Sequence, residues 1–537
     1  MRSHSRISTR APPCVLPAGA TRYVMASSAK TMDSWSANLT LLKNASALPM
    51  TESTTITVTC IAFAHEFARL RIHDAKEKEF ETPVPPVPQD DGATYISYDF
   101  TYHGKFLTVS PNSFPRYNLR FLLGKMFHAD GLKQLPVKLP GEIVYGLRGP
   151  RRVPFANFSQ WSNHTFFTSH GQQRSSGVYE SVHPFFVMAK RRISLGLFLR
   201  TSNDVELTLS PNRVATFRVS GGVLDFFIFF GATPTEVVAQ YTRFVGLPAM
   251  PSLRFIENGT PTSTDRIVLP FSMPVKEEAS SKLARVMAPK LGAYPALATS
   301  NDTFPGIGKW NVLWNLAPGQ GVKGLKRAVR DIQLYSILGL PYFIMSLCPV
   351  EAVSNNTALP PVPLSSGSCI KTTNLSLWLS LAAFLPIMQH LNTSTRLDGG
   401  QTEKEETSLK GRYVTAVRDA QSLRSKFLPH LYTLIFKCST TGDMIVRPLS
   451  FDSVMDLFDA QASHNASTPT PVYVPRGVWY EWFRWRRMES RGTVFFVPST
   501  NTSHPRLFVR GGGIVVTRYK SRGDNATVTN SDAVVGK

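Results

Sequence analysis

Residues 308–320 read GKWNVLWNLAPGQ, and what surrounds them decides the fold. A helical stretch follows from about Val322 to Ser336, and then LGLPYFIMSLCPV (338–350), an apolar run of the kind that forms a buried strand. This alternation of strand and helix fits part of a barrel-type α/β domain. The stretch itself is rich in glycine, tryptophan and proline, a composition often found lining sugar sites. Sugar chemistry nearly always needs an acid, yet no carboxylate occurs between Asp302 and Asp331.

Outward from there, NLSLWLSLAAFLPIM (374–388) and YVTAVRDAQSLRSKFLPHLYTLIFKCSTTG (413–442) have helical spacing, and KEEASSKLARVMAPKLG (276–292) is helix-like. Upstream, TITVTCIAFA (55–64), ATYISYDFTYHGKFLTV (93–109), LGLFLRTSNDVELTLS (195–210) and ATFRVSGGVLDFFIFFG (215–231) are short β-type runs separated by turn residues. Many such runs indicate a β-sandwich. A helix follows it: Thr233-Pro234-Thr235 is the start signal, EVVAQYTRFV has the period, and Gly246 is the stop. After Arg447 short strands return in PVYVPRGVWYEWF, TVFFVPS and RLFVRGGGIVVTR. The expected organisation of the 537 residues is a poorly ordered lead-in over 1–50, a β-sandwich over 51–250, an α/β domain over 251–445 and a C-terminal β-sandwich over 446–537.

The formal charge is +22, but the basic residues are scattered; Arg191-Arg192 and Arg484, Arg486 and Arg487 are the densest spots. Neither resembles a nucleic-acid motif, so the charge reads as a solvated basic surface and no nucleic-acid partner is expected. No apolar run reaches the roughly 20 residues needed to span a bilayer. Five cysteines, Cys14, Cys60, Cys348, Cys369 and Cys438, form no CxxC pair, so no metal site is implied. Cys348 and Cys369 are spaced to close a modest loop by a disulfide, or stand as two thiols.

Sequons begin at Asn38, Asn44, Asn157, Asn163, Asn258, Asn301, Asn355, Asn374, Asn392, Asn465, Asn501 and Asn525. This density points to the secretory pathway, with an extracellular or lysosomal destination. The first 30 residues contain no apolar run of signal-peptide length, which leaves either a longer natural start or unused sequons.

Several strings together resemble glycoside hydrolase family 31, the lysosomal and intestinal α-glucosidase type. They are SSGVYESVHPFFVM (175–188), the stretch 220–253, TFPGIGKW (303–310), LGLPYFIMSLCPV, LSLAAFLPIMQHLN (379–392), AVRDAQSLRSKFLPHLYTLIF (416–436), VYVPRGVWYEW (472–482) and LFVRGGGIV (507–515). They follow the family's order from about Leu70 to Arg518. The resemblance implies a multidomain β plus α/β architecture: an N-terminal β-sandwich, an incomplete (β/α)8 TIM-barrel remnant and a C-terminal β-sandwich. It implies a retaining α-glucosidase ancestry with no cofactor and no metal, and it implies that Cys348 and Cys369 are a disulfide pair.

Retaining glycosidases set two carboxyl groups about 5–5.5 Å apart, one as nucleophile and one as general acid. The family's WIDMNE-type nucleophile motif has no counterpart, because AMPSL (249–253) runs directly into RFIENGTPTSTD (254–265), which resembles the segment after it. In register, the general acid falls on Ala317 and its neighbour on Pro318. Substrate-binding positions are altered too. An arginine falls on Asn301, an aspartate on Ser346, a histidine on Leu391, an arginine on Gln389, and a pocket aspartate from the sandwich on His170. Trp310, Trp314, Phe304, Pro386 and the helix around SLRSKFLPHLYTL remain as framework, Trp314 more as packing than as a sugar platform. Glu257, Asp302 and Asp331 read as surface charges.

Three functions fit these residues. One is a catalytically dead α-glucosidase relative that binds an α-glucan, another glycan or a protein partner. The second is an active α-glucosidase represented by an incomplete chain, although Ala317, Ser346 and Leu391 lie inside well-matched segments. The third is a basic surface binder of anionic glycans.

Overall fold

A computed structural model describes residues 22–42, 51–63, 67–76, 97–141, 143–147, 155–159, 161–166, 178–180, 184–190, 193–201, 203–251, 253–258, 296–298, 305–310, 312–316, 321–345, 375–388, 403–451, 470–497, 507–518 and 533–534. The architecture is multidomain β plus α/β, with antiparallel sandwich sheets. The chain divides into two compact units, Met1–Met188 with Ile193–Gly231, and Ala189–Arg192 with Ala232–Lys537.

Among the described residues the first unit holds eighteen strands. In chain order these are β1 (Tyr23–Lys30), β2 (Ser34–Leu41), β3 (Thr55–Phe63), β4 (Phe67–Asp74), β5 (Tyr98–Tyr102), β6 (Leu107–Pro111), β7 (Leu119–Phe121), β8 (Phe127–Ala129), β9 (Leu132–Lys138), β10 (Ile143–Tyr145), β11 (Phe155–Asn157), β12 (Ser162–Phe166), β13 (Val178–Glu180), β14 (Phe185–Lys190), β15 (Ile193–Arg200), β16 (Val205–Ser210), β17 (Val214–Val219) and β18 (Leu224–Gly231). One nine-stranded sheet runs β1-β2-β3-β4-β18-β15-β14-β10-β11. The other runs β13-β12-β16-β17-β9-β7-β6-β5, with β8 on β9.

Alternation sorts the side chains between faces. Phe226, Ile228 and Phe230 of β18 enter the sandwich core with Leu195, Leu197 and Leu199, and the other sheet contributes Leu207, Leu209, Phe217 and Phe121. On the opposite face Phe227 and Phe229 meet Phe67, with ring centroids 5.7 and 5.9 Å apart. All eight residues of β15 and of β18 are buried, the polar Ser194, Arg200 and Asp225 included. Asp225 is held there by Arg69, Nε donating to Oδ1 at 2.7 Å and Nη2 to Oδ2 at 3.0 Å.

Within the expected lead-in over 1–50, the described part, 22–42, is ordered as β1 and β2, and the remainder lies outside the described residues. Trp35, Ala37 and Leu39 alternate inward with polar residues outward, so this Ser/Thr-rich stretch joins the core of the first sheet. Its period of two is masked by small side chains: Ser34, Ser36 and Thr40 outside, and Ala37 at one of the three inward positions.

The second unit begins with helix α1 (Pro234–Val245), whose start is built as the sequence indicates. The Thr233 hydroxyl accepts from the Glu236 amide at 3.2 Å, and the Glu236 carboxylate accepts from the Ala232 amide at 2.8 Å. Gly246 closes the helix at φ 121°. Then come α2 (Leu253–Asn258), strand β19 (Ala296–Ala298), β20 (Val312–Leu316), α3 (Gly321–Ile337), β21 (Phe343–Met345), α4 (Leu375–Ala383) and α5 (Glu403–Thr441). β19, β20 and β21 form a parallel sheet in that order, and α3 is the crossover between the last two. Around it lies a core of Ile256, Tyr342, Ile387, Leu428, Leu431 and Ile435.

The C-terminal strands are antiparallel: β22 (Thr470–Val474), β23 (Gly477–Glu481), β24 (Arg486–Ser490), β25 (Thr493–Val497), β26 (Phe508–Arg510), β27 (Val515–Val516) and β28 (Ala533–Val534). They lean on α5 through Phe427 against Trp482, ring centroids 4.9 Å apart, and through the Arg518 amide donating to the Lys426 carbonyl at 2.9 Å. The helix-like stretch 276–292 lies outside the described residues. Among those described, no helix is long and apolar enough to cross a membrane.

Candidate functional site

The register of the parallel sheet organises the site. Trp314 pairs with Ala298 on one side and Phe343 on the other, and Leu316 pairs with Met345 at the end of the ladder. The next residues in sequence are Ala317 after β20 and Ser346 after β21, and Asn301 follows β19 by three positions. In parallel α/β domains the segments leaving the carboxyl ends of strands build the active site. Three of the positions singled out in the sequence, Asn301, Ala317 and Ser346, therefore follow the carboxyl ends of neighbouring strands in the chain.

Ala317, Ser346 and Asn301 themselves lie outside the described residues, as do Leu391, Gln389, His170, Pro318, Phe304, Asp302, Cys348 and Cys369. Trp310 ends a single 3-10 turn, Ile307–Trp310, and Trp314 is in mid-strand of β20. Among the described residues no group of histidine, cysteine or carboxylate side chains could hold a metal ion. Cys60 and Cys438 are buried free thiols.

The remaining carboxylates sit in surface ion pairs. Glu257 accepts from Arg518 Nη2 at 3.1 Å, and Asp331 lies 3.6 Å from Arg327 Nε one helical turn away.

The framework is tightly built. Gly306 of the TFPGIGKW string takes φ 85°, and a Cβ there would sink into the Val245 carbonyl oxygen. A Cβ on Gly308 would lie 2.8 Å from the Gly339 carbonyl oxygen. Tyr342 donates its hydroxyl to the Ala249 carbonyl at 2.6 Å, tying the start of β21 to the segment after α1. Arg424 of α5, only 6% exposed, gathers four carbonyls. Its Nη1 donates to Ala383 (3.3 Å) and Leu385 (2.6 Å), its Nη2 to Ile256 (2.9 Å) and Pro386 (2.8 Å). Burial lowers its pKa to about 10, so it stays charged at neutral pH.

Of the sequons, Asn38 stands exposed on β2, its Oδ1 accepting from Thr57 Oγ1 at 3.1 Å. The Asn163 amide is engaged on β12, Nδ2 donating to Glu206 Oε1 at 2.5 Å and Oδ1 accepting from Thr208 Oγ1 at 3.1 Å. Asn157 lies in β11 and Asn258 ends α2. Asn44, Asn355, Asn374, Asn392, Asn465, Asn501 and Asn525 fall outside the described residues.

No protein-family profile matches the chain. Intestinal sucrase-isomaltase of Oryctolagus cuniculus is 32% identical over 193 residues, 34% of this chain and 10% of that protein. Lysosomal alpha-glucosidase of Mus musculus is 30% identical over 185 residues, 34% of this chain and 19% of that one. Over that third the chain is related to glycoside hydrolase family 31. The match thus spans between a tenth and a fifth of the family 31 relatives' own length.

Solved structures extend the likeness in fold. The glucosidase II alpha subunit bound to alpha3-Glc2 superposes with a TM-score of 0.59 at 12% identity, covering 93% of this chain and 81% of that one. The ER glucosidase II heterodimer, a catalytic subunit with the binding domain of its regulatory subunit, gives 0.60 at 12% identity over 94% and 82%. The cycloalternan-forming enzyme of Listeria monocytogenes with a pentasaccharide substrate gives 0.60 at 10% identity over 92% and 65%. At these identities the likeness is one of fold alone.

Proposed function

We propose that this chain is an α-glucosidase-like protein that has lost catalysis and keeps the scaffold around an emptied sugar site. The observation that carries the reading is the strand-end register: Leu316 faces Met345, and the residues that follow are Ala317 and Ser346, with no carboxylate at either. A methyl group donates no proton, and general acid catalysis is worth about 10²–10⁴-fold. The nucleophile is missing separately, since Leu253 is followed at once by Arg254 and the sequence that belongs beyond that motif. In this reading β19, β20 and β21 are what remains of the barrel, and Cys348 and Cys369 pair. The site's occupant is an α-glucan or related glycan, with a protein partner as in glucosidase II, and the compartment is the secretory pathway.

Purified chain incubated with maltose or an aryl α-glucoside is expected to release no glucose or aryl alcohol above a mock preparation. Ala317→Asp is expected to remain equally silent, because an acid without a nucleophile completes neither half of the double displacement. Turnover by the wild-type chain that co-elutes with the protein overturns the loss of catalysis. A gain of turnover in Ala317→Asp alone shows that another carboxylate serves as nucleophile.

A further inference from the structure

The hairpin of β23 and β24 ends in a turn that the proposed glycosidase site does not use. Its last paired residues are Glu481 and Arg486, so the turn is Trp482-Phe483-Arg484-Trp485. From Phe483 to Arg487 every residue is exposed. Phe483 is 44% and Trp485 55% exposed, and arginine alternates with them. Large apolar side chains scattered singly over a surface need no explanation, but two at one hairpin apex do.

The apex is held from below. Trp482 is 6% exposed, its ring centroid 4.9 Å from that of Phe427, and the Lys426 ammonium stands 5.4 Å from it. The Trp482 amide donates to the Leu507 carbonyl at 2.8 Å. Trp485 rests against this base, with ring centroids 5.1 Å apart. Its backbone takes φ 52°, the left-handed region, where glycine or asparagine is usual and a bulky residue is an outlier. Glycine would meet this angle without strain, and the tryptophan placed there is more than half exposed, so packing alone does not account for it. Strain of this kind gathers at functional sites.

Charge surrounds the apex on both faces. Arg484 lies between Phe483 and Trp485 in the turn itself. Successive residues of a strand point to opposite faces, so Arg486, opposite Glu481, and Arg487, opposite Tyr480, flank the tip on either side. Arg487 lies 3.4 Å from Glu489, whereas Arg484 and Arg486 have no carboxylate partner among the described residues. The described residues between 470 and 518 carry seven arginines against two carboxylates, Glu489 and the buried Glu481. Aromatic rings flanked by arginines suit the boundary of a bilayer. The rings sit at headgroup level, the arginine stems lie along apolar surface, and the guanidinium groups meet lipid phosphates. An extended anionic surface engages arginines on both faces of the tip at once, which a ligand confined to one face of the sheet does not.

We propose that the turn 482–485 docks this chain on an anionic lipid surface, with Phe483 and Trp485 entering the headgroup region and Arg484 and Arg486 meeting the lipid charges. The inference does not depend on how the strand ends of the parallel sheet are read.

The test is co-sedimentation of the full chain with vesicles of equal parts phosphatidylcholine and phosphatidylserine, and with vesicles of phosphatidylcholine alone. Wild type is compared with Trp485→Gly and with the double variant Arg484→Gln, Arg486→Gln. Glycine suits φ 52°, so Trp485→Gly removes the ring while relieving strain, and it leaves the net charge intact. Wild type is expected to bind the anionic vesicles and not the neutral ones. Trp485→Gly is expected to weaken binding about tenfold, the size of burying part of one large aromatic ring. The double variant is expected to weaken it about thirtyfold, about fivefold for each arginine near an anionic surface. Bromine on the acyl chains of the anionic vesicles is expected to quench tryptophan fluorescence in wild type and to quench it less in Trp485→Gly. Equal binding to phosphatidylcholine alone overturns the anionic surface. Binding unchanged in Trp485→Gly assigns it to the diffuse basic surface and overturns the site. Absence of wild-type binding also overturns it, and polyglutamate bound in a Trp485-dependent way then gives the turn to an acidic protein instead.

Discussion

Arg424→Met is expected to destabilise the second unit by about 3 kcal/mol or more. The guanidinium donates to four buried carbonyls, at Ala383, Leu385, Pro386 and Ile256, and no carboxylate contacts it among the described residues. A hydrogen bond to a charged group contributes about 1.5–3 kcal/mol net, and a buried acceptor left without a donor costs about 1–3 kcal/mol. Part of this is offset because methionine has no charge to desolvate, which is why the expected loss is below the sum of four bonds. Each kcal/mol lowers Tm by about 2–4 °C for domains of this order of size, so the transition of the second unit falls by about 6–12 °C. Arg424→Lys keeps the charge but offers three donors from a single point, and it falls between the two. A thermal scan in which Arg424→Met melts within about 1 °C of wild type would remove Arg424 as the tie between α5, α2 and the turn after α4.

That residue also marks what was legible in the sequence. Ala420, Leu423, Phe427, Leu428 and Leu431 form the buried stripe of α5, and Arg424 falls on it. A charged residue on an apolar stripe is a signal of a buried partner, but the pattern does not identify carbonyls 38–168 residues away as that partner. Helix α1 was readable because its cap, its proline and its stop are local. β15 and β18 were readable as short β-type runs around LGLFL and FFIFF. β1 and β2 were not, because Ser, Ala and Thr hide a period of two that becomes visible only when Trp35 and Leu39 are seen to point the same way.

The candidate site divides along the same line. That the loop after Trp314 lacks an acid is a fact of the sequence, and so is the absence of the nucleophile motif. That Ala317 and Ser346 follow paired strand ends is a matter of register, which depends on the tertiary pairing of β20 with β21. The turn that lifts Trp485 beside Trp482 was equally hidden. EWFRWRR reads as a basic aromatic cluster, whereas the left-handed backbone at its centre is set by the hairpin joining β23 to β24. The scaffold around TFPGIGKW is closely fitted, and this is where substitution should be least tolerated.

Gly306→Ala tests that fit. Two costs coincide at this residue: φ is 85°, and the added methyl would overlap the Val245 carbonyl oxygen, which belongs to the backbone and cannot rotate away. A left-handed conformation costs a non-glycine residue about 1–2 kcal/mol. Forcing extra atoms into a packed site costs about 1–3 kcal/mol more. The expected destabilisation is therefore about 3 kcal/mol. Gly512→Ala supplies the control within the same unit, since its φ of 84° is nearly identical while its Cβ would meet nothing within 4 Å. It should lose only the conformational part, about 1–2 kcal/mol. The difference between the two variants in denaturant unfolding isolates the close approach of 305–310 to the end of α1. If the two lose equal stability, the motif glycine is present for its backbone angle alone, and the packing of TFPGIGKW against Val245 contributes nothing to the scaffold.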